Sequence, residues 1–298
     1  MAEQPVQLMI IGAQKAGTTT LFHYLQRHPG IITHRQREMT FFFNDHELRE
    51  GYKQAFRRYF GDQTRTSGVI LAKHALAMYS ADALRQLYLH NPNTQLVILL
   101  RNPIERAYSA YWYARRRGWE TLTTFEAALK AEPRRLATGG WRQWRNCAYQ
   151  YNGLYAEHVE RVYDVFDKKQ VHIYLSEELR SNAEAVCQEI FHALEIDPAL
   201  AGQTHLFLNR AAIARSEAFA QIFARFLSSK HPLKMAVRSL IPDSVSCKLR
   251  YLVLRVNEKG FTPPGMLPET RKQLRTFFYK DNEKLEALLG RNLVQWLQ

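Results

Sequence analysis

The feature that most constrains this chain lies within its first twenty residues. Leu8, Met9, Ile10 and Ile11 form an unbroken apolar run. Gly12, the stretch A-Q-K-A, Gly17 and three threonines follow, and then an amphipathic run over residues 21–28 closed by Pro29 and Gly30. That order predicts a buried strand, a glycine-rich loop and a helix. Glycines let the backbone approach an anion closely, and a helix N-terminus aims N–H groups at it. Lys15 adds a charge, and Thr18, Thr19 and Thr20 add neutral donors. A nucleoside-triphosphate loop has lysine directly after its second glycine, followed by a hydroxyl for Mg²⁺. Here Thr18 stands in that place and the lysine sits inside the loop, at Lys15. The reading is an anion loop without the Mg²⁺-type arrangement.

The rest of the composition narrows the setting. A chain of 298 residues, 46% hydrophobic and 23% charged, has ample material for a folded core. Its net charge of +13 favours anionic partners. The basic residues are scattered and no nucleic-acid module signature appears, so neither nucleic acid nor a membrane is an expected partner. Cys147, Cys187 and Cys247 are far apart and odd in number, which fits neither a zinc site nor a disulfide framework. With no leader-like start and no apolar run near the ~18 residues of a membrane span, a cytoplasmic location is expected.

Further along, Arg35, Arg37 and Glu38 stand before a plug of Phe41, Phe42 and Phe43. Glu38 reads two ways: a general base against an apolar wall, or a surface ion pair with Arg35 or Arg37. Residues 69–72 predict a second strand ending at Lys73 and His74; a lone histidine there is structural or an extra base. Residues 95–100, Q-L-V-I-L-L, predict a central strand, with Arg101 at its end and Ser109 two turns into the next helix. Ligands of open parallel sheets bind at the carboxyl ends of strands. A guanidinium fork with a nearby hydroxyl suits a second phosphate. Arg115, Arg116 and Arg117 read as a solvated helix face, and residues 119–150, carrying three tryptophans, as a loop-and-helix insertion. Residues 171–175 predict a further strand, with Ser176 starting a helix. Residues 199–250 are basic, with helix-like stretches at 216–227 and 236–240, and residues 268–289 predict a long closing helix with Phe277, Leu285 and Leu288 in its core. The alternation of strand and helix predicts an α/β chain with a mainly parallel central sheet of four or five strands flanked by helices.

The loop G-A-Q-K-A-G-T-T (residues 12–19) and the segment R-N-P-I-E-R-A-Y-S-A-Y (residues 101–111) together resemble the two phosphate motifs of the sulfotransferases that use 3′-phosphoadenosine 5′-phosphosulfate (PAPS). The similarity is greatest to the branch holding the heparan-sulfate and many bacterial enzymes. It implies a single P-loop-like sulfotransferase domain over residues 1–298, with the 119–150 insertion on the acceptor side. Lys15, Ala16, Gly17, Thr18, Thr19 and Thr20 would hold the 5′-phosphosulfate, and Arg101 with Ser109 the 3′-phosphate, while Arg106 supports the fold. R-E-M-T-F-F-F is similar to the segment whose glutamate deprotonates the acceptor, which implies Glu38 as catalytic base. Lys73 matches the lysine of the E-K-[ST]-P segment, with Ala72, His74 and Ala75 replacing its neighbours. Residues 257–264 resemble the basic loop over the donor's nucleotide, carrying Lys259 and Gly260, where Phe261 replaces an expected arginine. PAPS is the implied co-substrate, the acceptor a hydroxyl or amine of a small natural product or glycan, and lysine with amides does the neutralising without a metal. A P-loop small-molecule kinase, and a non-catalytic nucleotide- or nucleic-acid-binding protein, are the rival readings.

Overall fold

In a computed structural model, residues 3–61, 68–138, 140–201 and 258–296 are described, with short pieces at 212–214, 216, 218–219, 221–222 and 256. Most of the basic 199–250 stretch, the helix-like piece at 236–240 included, therefore lies outside the described residues. The chain forms two compact units. The first comprises residues 1–102, 154–208 and 281–294; the second comprises 103–153, 209–280 and 295–298.

The first unit is built on a five-stranded, all-parallel sheet of order β2-β3-β1-β4-β5, flanked by helices. Its strands are β1 (Leu8–Gly12), β2 (Ile31–Thr33), β3 (Val69–Lys73), β4 (Gln95–Leu100) and β5 (Val171–Leu175). Every residue of β1 and β3, and all of β4 but Gln95, is buried. Strands covered on both faces need such continuous apolar runs, each large side chain contributing roughly 1.5–3 kcal/mol on burial. The predicted strands 95–100 and 171–175 appear with those bounds. The three residues of β2 carry too little pattern to have been read as a strand. The order of the sheet reverses between β1 and β4, which makes the carboxyl ends of these two strands the crevice of an open α/β sheet.

Helices α1 (Thr18–Leu25), α2 (Asp45–Glu50), α3 (Tyr52–Phe60) and α4 (Ala81–His90) follow the first three strands. Asn44 caps α2 by accepting from the His46 and Glu47 amides, and Ser80 caps α4 by accepting from Ala83 at 3.2 Å.

The second unit contains α5 (Pro103–Arg116), α6 (Phe125–Thr138) and α7 (Gly140–Cys147), so the expected insertion is mostly helical. It is held by buried polar groups. Arg135 grips Glu120 through both guanidinium nitrogens at 2.5 and 2.8 Å, and the Tyr149 hydroxyl donates to the same carboxylate at 2.8 Å. Glu132 accepts the Gln150 and Tyr151 amides at 2.8 Å, and burial raises its pKa above the usual carboxylate value. Arg106 is fully buried and donates to the Tyr149 carbonyl. The arginine run is not a solvated face: Arg115 is buried and donates to the Leu122 carbonyl at 2.8 Å, while Arg116 and Arg117 lie over the Tyr113 ring. Stems that can lie along aromatic surface let a charge run hide in this way.

Returning to the first unit, α8 (Tyr155–Tyr163) precedes β5, and α9 (Ser176–Ser181) and α10 (Ala183–Ala193) follow it. The last helix, α11 (Pro268–Leu289), begins in the second unit and ends in the first. Its buried positions include Leu274, Phe278 and, as expected, Leu285, while Leu288 is half-buried; Phe277, also expected in the core, is 45% exposed, because its neighbour Phe278 holds the buried face. Cys147 and Cys187 are free and buried, and burial pushes their thiols up to about 11 and about 12.

Candidate active site

The turn from β1 into α1 shows why the two glycines stand where they do. A Cβ on Gly12 would lie 2.1 Å from the Met78 sulfur, so a side chain there displaces Met78. Gly17 is the N-cap of α1 with φ +103°, a conformation that L side chains rarely adopt. Lys15, between them, is also left-handed, with φ 71°. Four carbonyls of this loop are engaged within the protein. Ala13 O accepts the Ala16 amide (3.2 Å), Lys15 O accepts Arg101 Nη1 (3.3 Å), Ala16 O accepts the Ser176 hydroxyl (2.5 Å), and Gly17 O accepts the Thr20 amide (2.9 Å). The Ala13 amide in turn bonds to Leu99 O at 2.7 Å, anchoring the loop to β4. With these four carbonyls occupied, and with first-turn N–H groups that a helix cannot satisfy from within, the loop offers donors and a lysine to an anion.

Three further strand ends meet this loop. Lys73 ends β3, whose Lys73 pairs in register with Ile10 of β1, and the His74 amide bonds to Ile10 O at 2.9 Å. Arg101 follows β4 directly, and Ser176 follows β5. Lys15, Ala16, Gly17, Thr18, Thr19, Thr20, Lys73 and Arg101 are thus grouped at the carboxyl edge of one sheet.

Glu38 belongs to the same edge. Its Oε1 accepts Lys73 Nζ at 2.6 Å and its Oε2 accepts the Ala75 amide at 3.1 Å. Its ion pair is therefore with Lys73, against the alternative of Arg35 or Arg37. The Lys73 side chain is 1% exposed and its Nζ lies 5.8 Å from the Phe22 ring centroid, whereas the Glu38 side chain is 23% exposed. A buried cation paired with a carboxylate is a strong local field, and the partly exposed carboxylate is the face of the pair that a ligand can reach. His74 is buried and stacks on Phe43, with ring centroids 4.0 Å apart, so it packs the wall of the site.

Ser109, half-buried on α5, and Lys259 and Gly260 belong to the second unit. The expected loop at 257–264 is in part a strand: β7 (Glu258–Gly260) pairs antiparallel with β6 (Ala212–Ala214), Lys259 opposite Ile213. Phe261 rests against Trp112, with ring centroids 4.9 Å apart. Among the described residues no group of histidine, cysteine, aspartate and glutamate side chains could hold a metal ion, and no helix is long and apolar enough to cross a membrane.

The family model for the sulfotransferase domain matches residues 5–213. The chain belongs to the sulfotransferase family. Among its curated relatives is the mouse bifunctional heparan sulfate N-deacetylase/N-sulfotransferase 4, 29% identical over 64% of this chain and 22% of the relative. The Drosophila melanogaster bifunctional heparan sulfate N-deacetylase/N-sulfotransferase is 27% identical over 98% of this chain and 27% of its own length. The chain thus spans about a quarter or less of these bifunctional relatives. Mouse heparan sulfate glucosamine 3-O-sulfotransferase 5 is 24% identical over 98% of this chain and 75% of that protein. A crystal structure of a sulfotransferase from Alicyclobacillus acidocaldarius shares the fold, with TM-score 0.70 and 23% identity over the full length of both chains. The family resemblance carried by the two motifs is borne out at this level.

Two contributors to this candidate site escape sequence reasoning. Ser176 starts α9 as expected, but its hydroxyl reaches the Ala16 carbonyl of the glycine-rich loop from 160 residues away. The Ala75 amide holds Glu38 through backbone alone, which no residue type signals.

Proposed function

We propose that this chain transfers a sulfuryl group from PAPS to a hydroxyl or amine of a glycan or small natural product. The observation that carries the reading is the Glu38 carboxylate, held by Lys73 at the end of the strand beside β1 and by the Ala75 amide just beyond it. In this reading the donor supplies an activated sulfuryl group and its phosphate leaving group. Glu38 takes the proton from the acceptor O–H or N–H as that atom bonds to sulfur and the bond from sulfur to the 5′-phosphate oxygen breaks. Lys15 and the amides and hydroxyls of Gly17, Thr18 and Thr19 hold the charge that builds on the transferring group and the departing phosphate; Thr20 and Ala16 complete the loop. Losing one such preorganised donor typically costs about 3 kcal/mol of barrier. Lys73 orients Glu38 and adds positive potential. Arg101 and Ser109 are assigned to the 3′-phosphate on their match to the second motif, and Lys259 and Gly260 to the nucleotide on theirs. Residues 119–150 are assigned to the acceptor.

Substituting Glu38→Gln tests the assignment, because the amide keeps the shape and loses the base. The expected result is a fall in transfer rate of about 10²- to 10⁴-fold, with binding of 3′-phosphoadenosine 5′-phosphate retained. A variant that transfers sulfuryl at the wild-type rate would remove Glu38 from the mechanism.

A further inference from the structure

Glu38 sits in a segment with no regular structure between β2 and the Phe41–Phe43 turn, yet its carboxylate meets Lys73 at 2.6 Å. Something must fix that segment, because a base is effective only when held in its productive geometry. The fixing groups converge on the backbone of Lys73. The His34 Nε2 accepts the Lys73 amide at 3.1 Å, and the Met39 amide donates to the Lys73 carbonyl at 2.8 Å. The second His34 nitrogen, Nδ1, donates to the Gln36 carbonyl at 2.7 Å. β2 ends at Thr33, one residue earlier, so the imidazole supplies an acceptor to β3 just beyond the end of β2. It simultaneously ties down the chain two residues before Glu38.

We infer that His34 is a positioning residue for the Glu38–Lys73 pair: its ring bridges the Lys73 amide to the Gln36 carbonyl and so sets the base against the lysine. Its role in transfer rests on the proposed function; its role in the geometry does not. Donating from one nitrogen while accepting at the other requires the neutral, Nδ1-protonated ring. Burial, with the Lys73 charge adding to it, lowers the His34 pKa to about 3, so that form persists at neutral pH. The ring is 3% exposed and packs against Phe22, with centroids 4.8 Å apart, and edge-on to Tyr59 and Phe60. An apolar ring can therefore fill the space without the two hydrogen bonds, and a glutamine can restore the acceptor.

The test compares wild type, His34→Phe, His34→Leu and His34→Gln. Transfer from PAPS is followed with an N-deacetylated heparan sulfate oligosaccharide as probe acceptor and with water, alongside calorimetric binding of 3′-phosphoadenosine 5′-phosphate and exchange of the Lys73 amide hydrogen. The Phe variant should lose about 10- to 100-fold in kcat, the scale of a small misplacement of a catalytic group. Bisphosphate affinity should stay within about twofold, and the Lys73 amide should exchange faster. Glutamine should recover most of the rate and the protection. His34→Leu serves in place of Phe should the larger ring prevent folding. Unchanged kcat in the apolar variants, an equal loss of kcat and bisphosphate affinity, or no recovery with Gln would overturn the inference. A wild type that neither binds the bisphosphate nor turns over PAPS would refute the proposed function instead. The Lys73 exchange rates then decide the positioning role alone, and unprotected exchange in wild type would end it.

Discussion

Replacing Ser176 by alanine probes the anion loop without touching any residue of its motif. The Ser176 hydroxyl donates to the Ala16 carbonyl at 2.5 Å, and both residues are almost wholly buried, at 6% and 1% exposure. Removing the donor leaves a buried carbonyl unsatisfied, at a cost of about 1–3 kcal/mol. The volume lost is one oxygen atom, so the cavity contribution is small. For a chain of this size that cost lowers Tm by roughly 2–4 °C per kcal/mol, which differential scanning calorimetry resolves. The freed carbonyl is also no longer held back from the anion. If about 1–2 kcal/mol of the loss appears in ligand binding, Kd for 3′-phosphoadenosine 5′-phosphate rises about 5- to 30-fold. Ser181→Ala is the matched control, because that exposed hydroxyl reaches only the Glu178 carbonyl of its own helix, at 3.1 Å; neither Tm nor Kd should move. Wild-type affinity and Tm in Ser176→Ala would refute the argument that this bond shapes the loop.

Gly17→Ala places a Cβ at φ +103°, where the nearest atom, Leu179 Cδ2, is at a comfortable 3.5 Å, so backbone strain rather than a clash is the cost. That strain, about 1–2 kcal/mol, should appear as a lower Tm with weakened bisphosphate binding, and unaltered binding would show that the left-handed cap is dispensable. Burial pushes Asp281 up to about 6, opposed by its hydrogen bond from the Ala156 amide at 3.2 Å. A folded pKa above the unfolded value of about 3.9 means its contribution to stability is complete below that value and is lost as pH rises through about 6. Asp281→Asn should therefore be more stable than wild type at neutral pH, with the gap closing toward acid. Thermal melts across the acid range check this, and a gap independent of pH would contradict it.

The sequence made the sheet legible where burial on both faces demands near-continuous apolar runs, as in β1, β3 and β4, and where a glycine-rich turn follows directly. β2 escaped because three residues carry no period. The site was legible where chemistry sits in local patterns: Lys15 in its loop, Lys73 and Arg101 at strand ends. It was not legible where a side chain serves distant backbone. His34 bonds to the amide of Lys73, and Ser176 to the carbonyl of Ala16, and neither backbone partner carries a residue signature. Arg115 was misread for a related reason: a guanidinium that finds the Leu122 carbonyl and an aromatic neighbour is indistinguishable in sequence from one that faces water. Glu38 was ambiguous between base and ion pair, and the fold gives it an ion pair with a lysine 35 residues away, beside the anion loop.

The proposed function requires the loop and Arg101 to take a bisphosphorylated adenosine rather than a nucleoside triphosphate with Mg²⁺. Titration calorimetry with 3′-phosphoadenosine 5′-phosphate and with ATP and Mg²⁺, on wild type and Arg101→Ala, tests it most directly. Tight binding of the bisphosphate, lost in the variant and absent for ATP, is the predicted result. Preference for ATP with Mg²⁺ would contradict the account and make the chain's loop that of a kinase.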